Sequence, residues 1–352
     1  MKRWLANLVV LGGGLVFSLL VAEAALRLVG VRFPAFYTVD AYRGYALRPQ
    51  VEGPWTREGR GWVRVNQAGF RGVDVSTTPP AGVLRIAVLG DSFTEALQVD
   101  ENLTWIAQLQ ARLPASPACP LRRQFPGGVQ VLNFGVGGYG TGQELLTWRH
   151  LASRYKPALV ILAIYPGNDI TDNEPAARTD RPVFRLGADG QLRVDNSFRQ
   201  QPATRWRLSP PGQLVEMAVT HSRLLQLLNE AKNRLSARPA SPAAAPQQPQ
   251  GSDQAWAVTD ALISQLAQEV QGQGARLLVV STSSPEQVWP NRQQRPEEPF
   301  RQEQRLAAML AKSQIPYLPL APQLQSQADQ QGLTLHGFTG QAPGEGHWNT
   351  DG

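Results

Sequence analysis

Four short clusters in this 352-residue chain carry groups able to do chemistry. Gly90-Asp91-Ser92-Phe93-Thr94 offers a hydroxyl. Asn133-Phe134-Gly135-Val136-Gly137-Gly138-Tyr139-Gly140 offers a backbone with little steric bulk, and Gly167-Asn168-Asp169 a side-chain amide. Glu345-Gly346-His347-Trp348-Asn349 offers an imidazole beside a carboxylate. A nucleophile, two kinds of oxygen-stabilising donor and a base are the parts of acyl transfer. Each cluster alone has a plainer reading. Ser92 after Gly90-Asp91 reads as a helix N-cap, and Asn168-Asp169 as an ordinary turn. Gly135, Gly138 and Gly140 miss the register of a dinucleotide-binding loop and follow the second strand of the pattern.

Whether the clusters act together depends on the elements that carry them. Residues 83–89 form a mostly apolar run between Gly82 and Gly90, as expected of a buried parallel strand. Further strands are expected at 129–134, 158–165, 275–281 and 315–320. Helices are expected at 97–113, 143–155, 253–271 and 296–313. This alternation predicts an α/β fold, a three-layer α/β/α domain around a five-stranded, mostly parallel sheet. Sites in such sheets form at the carboxyl ends of strands, and three of the four clusters directly follow one. The alternation breaks at 171–251. There an amphipathic helix is expected over 214–235, with Leu214, Met217, His221, Leu224, Leu225 and Leu228 on one face. A Pro/Ala/Gln-rich linker at 236–251 follows, which cannot bury a core.

Residues 31–82, rich in Gly, Pro, Tyr, Trp and Arg, read as a lead-in that packs on the domain, with a strand at 62–65 and a turn at 66–72. Before it, residues 4–22 are apolar and uncharged, enough for a helix of roughly 28 Å, about the thickness of a hydrocarbon core. Lys2 and Arg3 precede that run, which favours a cytoplasmic N-terminus and export of the rest. Ala22-Glu23-Ala24 fits a signal-peptidase pattern, but the length of the run favours an uncleaved membrane anchor. The domain boundaries are therefore 1–30, 31–82 and 83–352.

Composition narrows the field. With 42% hydrophobic and 18% charged residues the chain is neither disordered nor fibrous. A single cysteine, Cys119, excludes an internal disulfide framework and a cysteine-cluster zinc site, and suits an oxidising compartment. The net charge of +6 is spread over scattered arginines without a zinc finger or basic helix, so no nucleic-acid partner is expected. Among the four histidines, His150 reads as a helix-end surface residue, His221 as core or interface, and His336 as lacking an acid at useful spacing. Trp289 reads as core, Trp348 as packing around the His347 loop, and Asp91 as a brace for the turn at Ser92. No metal or organic cofactor is required.

Taken in order, GDSFT, NFGVGG, GND and GHWN resemble the motif blocks of the SGNH/GDSL hydrolases, continuously over 83–170 and again at His347. The resemblance implies the flavodoxin-like fold of that family. It implies Ser92 as nucleophile and His347 as base, with an oxyanion hole from the Ser92 and Gly138 N–H groups and the Asn168 amide. The usual acid three residues before the histidine is replaced by Gly344, so Glu345 is expected to orient His347. NQAGFRG and the N-terminal helix look like the membrane-anchored, extracytoplasmic bacterial members. Members generally continue into a closing helix, so the stop at Gly352 reads as a truncation. The expected function is a serine esterase acting on an ester substrate, with O-acetyl groups of an envelope or secreted polysaccharide as the candidate class. The alternatives are an O-acyltransferase and a non-catalytic glycan-binding scaffold.

Overall fold

The computed structural model describes residues 2–113, 121–174, 179–236, 251–340 and 344–352. The N-terminal apolar run is one helix, α1 (Lys2–Leu28), with mean hydropathy 2.2 in its most apolar stretch, none of it buried. The lead-in then folds into two antiparallel hairpins. β1 (Tyr37–Asp40) pairs with β2 (Gly44–Leu47), and β3 (Glu52–Trp55) with β4 (Gly61–Arg64). Phe36, Leu47, Val51, Val63 and Val65 bury themselves with Leu97, Val136 and Tyr139. The lead-in thus covers the loops that leave the first two sheet strands. Buried Arg71 fastens it there, donating to Glu95 O at 2.9 Å and Val99 O at 2.7 Å.

The central sheet contains β5 (Val83–Gly90), β6 (Gly128–Asn133) and β7 (Leu159–Ile164). After a small antiparallel hairpin, β8 (Val183–Leu186) with β9 (Leu192–Asp195), come β10 (Arg276–Ser281) and β11 (Tyr317–Pro319). The order is β11-β10-β7-β5-β6, every neighbouring pair parallel. Between β5 and β6 lie a single turn, α2 (Ser92–Glu95), then α3 (Trp105–Arg112) and α4 (Leu121–Gln124). α5 (Thr141–His150) follows β6. The insert carries α6 (Pro202–Leu208), α7 (Pro210–His221) and α8 (Arg223–Ser236), and the domain closes with α9 (Asp253–Gly272), α10 (Arg301–Lys312) and α11 (Ala321–Gln331). Leu89 and Leu162 pack under Trp148 of α5, Trp256 and Leu262 of α9, and Leu306 of α10. On the other face Ile86, Val88 and Val131 pack under Ile106 of α3. Burial of each such side chain stabilises the sandwich by about 1.5–3 kcal/mol.

Three expectations change. The helix expected at 97–113 starts only at Trp105, because Leu97 and Val99 are buried beneath the lead-in and the Gln98 and Val99 carbonyls accept from Arg60 N–H and Arg71 instead of helical partners. The single helix expected at 214–235 breaks at Ser222, where the Glu23 carboxylate of α1 accepts the N–H groups of Arg223 and Leu224. Its expected apolar face is not a core: Leu214, Met217 and Leu228 are exposed, and so is His221. The helix expected from 296 begins at Arg301, after a run of turns. Cys119 and residues 237–250 of the linker lie outside the described residues.

Candidate active site

β5 brings residues 90–92 to the carboxyl edge of the sheet. A Cβ on Gly90 would sit 2.2 Å from Thr94 Oγ1 and 3.0 Å from Ala163 O, so the close strand-to-turn packing admits only glycine. Asp91 is fully buried. Its Oδ1 accepts the Phe93 N–H at 2.9 Å and caps α2, whose first residue is Ser92. Burial raises the Asp91 carboxyl to about 6. Behind it, burial first and then a neighbouring carboxyl, Asp91 for Glu144 and Glu144 for Asp169, push both groups well above the carboxylate range.

The C-terminal loop reaches the same edge from 255 positions away: His347 Nε2 lies 2.8 Å from Ser92 Oγ. Its backbone is held by Gly337 N–H donating to His347 O at 3.1 Å and by Asn349 N–H donating to Leu335 O at 2.9 Å. Trp348 Nε1 donates to Ser283 Oγ at 2.9 Å, and the Phe93 ring lies against both His347 and Trp348, with centroids 5.0 and 5.3 Å away. His336 is buried, its Nδ1 2.8 Å from Gly346 O, and burial drives its pKa down to about 4, so the ring is neutral and structural.

Glu345 does not orient His347. Gly344 and Gly346, at φ of 90° and 77°, turn the chain so that Glu345 is exposed. The carboxylate on the imidazole is Glu58, from the loop between β3 and β4. Its Oε2 accepts from His347 Nδ1 at 2.5 Å, and its Oε1 accepts the His347 backbone N–H at 2.8 Å. With Nδ1 donating to a carboxylate, Nε2 carries the lone pair and faces the Ser92 hydroxyl. Burial disfavours the charged ring, but the adjacent Glu58 outweighs it and lifts the His347 pKa above its usual value. Burial likewise opposes the Glu58 charge, yet the His347 hydrogen bonds hold its pKa below the usual value.

β6 carries the glycine loop. Asn133 ties it to the nucleophile turn, donating from Nδ2 to Thr94 O at 2.7 Å and accepting the Gly135 N–H at 2.9 Å. Gly138 has φ 73°, a left-handed conformation that glycine adopts without strain. Tyr45 donates to Gly137 O at 2.8 Å and Arg181 to Gly138 O at 2.5 Å, which fixes the orientation of both peptides. A Cβ on Gly137 would approach Ser92 Cβ to 3.6 Å, so this loop lies against the nucleophile. Beneath it sits Glu95, fully buried, accepting from the Tyr37 hydroxyl at 2.8 Å and from the Gly137 N–H. Burial, only partly offset by those donors, raises the Glu95 carboxyl to about 8.

Asn168 stands in the turn after β7, the strand beside β5, and donates from Nδ2 to Asp172 Oδ2 at 3.3 Å, while its Oδ1 is buried without a partner. One of its two amide hydrogens is thus directed at Asp172. The expected third donor, the Ser92 N–H, faces the Asp91 carboxylate. A pocket of about 350 Å³ opens beside Ser92 and His347, lined also by Gln98, Trp105, Arg112 and Trp348. Trp289, expected in the core, is half-buried and donates to Gln294 at 2.7 Å, and His150 stacks on Tyr42 with centroids 4.0 Å apart.

Glu58 and Glu95 escape sequence reading. Glu58 lies 289 positions before its imidazole, inside a lead-in of poor periodicity whose sequence signals are one short strand, turns and aromatics. Glu95 follows Ser92 by three residues, a spacing indistinguishable from an exposed helical carboxylate.

Among solved structures the chain is similar to TesA, at 16% identity and TM-score 0.33 over 70% of this chain and 96% of that one. It is similar to a catalytic mutant of an acetylxylan esterase from Geobacillus stearothermophilus, at 12% identity and TM-score 0.33 over 70% and 80%. A further similarity is to an acetyl xylan esterase, at 11% identity and TM-score 0.36 over 76% and 92%. No curated protein sequence matches the chain. The model of the GDSL-like lipase/acylhydrolase family matches residues 88–352, which takes in Ser92, the glycine loop, Asn168 and His347. The chain belongs to that family and is an SGNH-type hydrolase.

Proposed function

We propose that the protein is a serine esterase in which Ser92 attacks the ester carbonyl while His347 takes its proton. The single observation carrying this reading is the chain Ser92 Oγ to His347 Nε2 at 2.8 Å and His347 Nδ1 to Glu58 Oε2 at 2.5 Å. As Oγ bonds to the carbonyl carbon, the proton moves to Nε2 and the negative charge of Glu58 stabilises the imidazolium. The carbonyl oxygen gains charge beside the Gly138 N–H and the second amide hydrogen of Asn168. Collapse of the tetrahedral species breaks the ester C–O bond, and His347 returns the proton to the departing alcohol. Water, deprotonated by the same ring, then frees Ser92 and releases the acid.

The substrate we infer is an O-acetyl group on an envelope or secreted polysaccharide, handled by a domain tethered outside the cytoplasm. Support for the tether comes from α1, which opens with Lys2 and Arg3 and is then apolar over a bilayer's thickness. Retention of α1 is supported by Glu23, which sits inside the Ala22-Glu23-Ala24 pattern and whose carboxylate accepts from Ser222, Arg223 and Leu224 of the folded domain. A fluorophosphonate probe is expected to label wild-type protein at Ser92 and to leave Ser92→Ala unlabelled. Labelling that survives the substitution overturns the nucleophile. Acetate released from acetylated polysaccharide without an acceptor supports hydrolysis. Acetyl groups that move onto an acceptor sugar with no free acetate released make the enzyme a transferase.

A further inference from the structure

Where α1 meets the domain, three arginines line a crevice of about 220 Å³: Arg27 in the last turn of α1, Arg32 just after it, and Arg223 at the start of α8. Arg32 and Arg223 are each fixed by one hydrogen bond and Arg27 by two, one of them to Glu23, and all three keep donors over. Arg27 Nη2 donates to His221 O at 2.6 Å, Arg32 Nη2 to Glu52 O at 2.8 Å, and Arg223 Nη1 to Gln226 Oε1 at 3.0 Å. Arg32 Nε is buried without a partner, and its guanidinium lies 5.7 Å from the Trp62 ring centroid.

The nearby carboxylates are already engaged. Glu23 accepts from Arg27 Nε at 2.7 Å, the Ser222 hydroxyl and two backbone N–H groups. Glu52 accepts from Trp62 Nε1 at 2.8 Å and pairs with Arg64 at 3.4 Å. The three guanidinium groups thus face one another with charge in excess. Burial, and then the Arg32 and Arg27 charges, lower the pKa of Arg223.

Depth identifies the anion that fits. Residues 4–22 span the hydrocarbon core in the reading of α1 as a membrane anchor, on which this inference rests. Arg27 lies five residues past Ala22, about 7.5 Å of helix rise. The headgroup region adds roughly 5–8 Å on each side of the core, so the crevice opens at the level of the lipid phosphates. α7, whose last residue lies on the crevice, exposes Leu214, Val215 and Met217, side chains suited to the interfacial zone. We propose that the Arg27–Arg32–Arg223 crevice binds the phosphate of an anionic phospholipid headgroup and so sets the orientation of the catalytic domain over the membrane.

The test uses the full chain in nanodiscs of phosphatidylcholine alone or mixed with phosphatidylglycerol. Lipid retained by the protein is counted by native mass spectrometry, and amide exchange is followed over residues 220–226. Wild type is expected to retain phosphatidylglycerol over phosphatidylcholine by roughly tenfold, with slower exchange in the mixed discs. Arg32→Gln/Arg223→Gln is expected to lose both effects, and Arg32→Lys/Arg223→Lys, which keeps the charge, to retain most of the preference. Melting in lipid-free detergent shows whether each variant is folded. Equal retention of the two lipids by wild type, or an undiminished preference in the folded glutamine variant, overturns the site. Inorganic phosphate giving the same protection in detergent assigns the crevice to a soluble anion and overturns the lipid. The anchor is judged separately, by whether alkaline carbonate releases the full-length protein from membranes.

Discussion

An imidazole can act as a base only while its second nitrogen is held, because an unheld ring rotates and both tautomers become populated. His347 is held by Glu58 through two hydrogen bonds, at 2.5 Å to the ring and 2.8 Å to the backbone N–H, so the carboxylate fixes both the ring and the peptide that carries it. In the proposed mechanism Glu58 is a positioning residue, and the pH profile is expected to report it. Activity falls with decreasing pH as His347 takes a proton. Because Glu58 raises the ring's pKa, the acid limb of kcat/KM is expected above pH 6.5. Glu58→Gln is expected to lower kcat by roughly 10³–10⁴-fold. It should also move that limb to lower pH, since burial is then opposed only by the Asp91 and Glu95 carboxyls. Glu345→Gln, at an exposed site, leaves both unchanged. The opposite ranking of the two variants would return the role to Glu345. Sequence reading reached Ser92 and His347 because their neighbours form recognisable blocks. It missed Glu58 because a carboxylate's reach to a ring depends on where a hairpin loop lands, which no local spacing encodes.

At the scale of elements, the site is a junction of four loops closed by the lead-in hairpins. A Cβ on Gly61 would sit 2.4 Å from Val99 O and 2.5 Å from Leu97 O, so the Glu58 loop is seated directly on the segment that follows α2. Glu95 plays the matching part underneath, joining α2, the glycine loop and Tyr37 of β1 through one buried carboxyl. Its folded pKa of about 8 lies above the unfolded value near 4.5, so the folded state favours the protonated form. The stability this contributes is complete below pH 4.5 and is lost as pH rises toward 8. Urea unfolding at a series of pH values should therefore show a decline across that window in wild type and a flatter profile in Glu95→Gln. An identical slope in the variant would mean that Glu95 is ionised in the native state. Strands and most helices were legible from apolar runs and periodicity. The break after α2 was not, because the carbonyls at 98 and 99 are captured by Arg60 and Arg71, residues from a different part of the chain.

Across the whole molecule, the N-terminal helix and the catalytic domain are joined by a cap rather than by a linker alone. Glu23 supplies the acceptors for the Arg223 and Leu224 N–H groups, at 3.0 Å each, so the start of α8 is completed by a residue of α1. Glu23→Ala is expected to destabilise the α7–α8 region by about 1 kcal/mol, seen as faster amide exchange over 222–226, while Ser92 still labels with a fluorophosphonate. Unchanged exchange would show that the cap contributes nothing in solution. The amino-acid sequence by itself determined the layered α/β architecture, the apolar N-terminal helix, and the motif blocks that carry Ser92 and His347, because strand hydrophobicity, helical period and short motifs are properties of neighbouring residues. Tertiary structure alone decided which acid meets the imidazole, which buried carboxyl supports the glycine loop, and where the arginines gather beside α1. These are encounters between segments tens to hundreds of positions apart, set by how the lead-in and the insert fold back over the sheet.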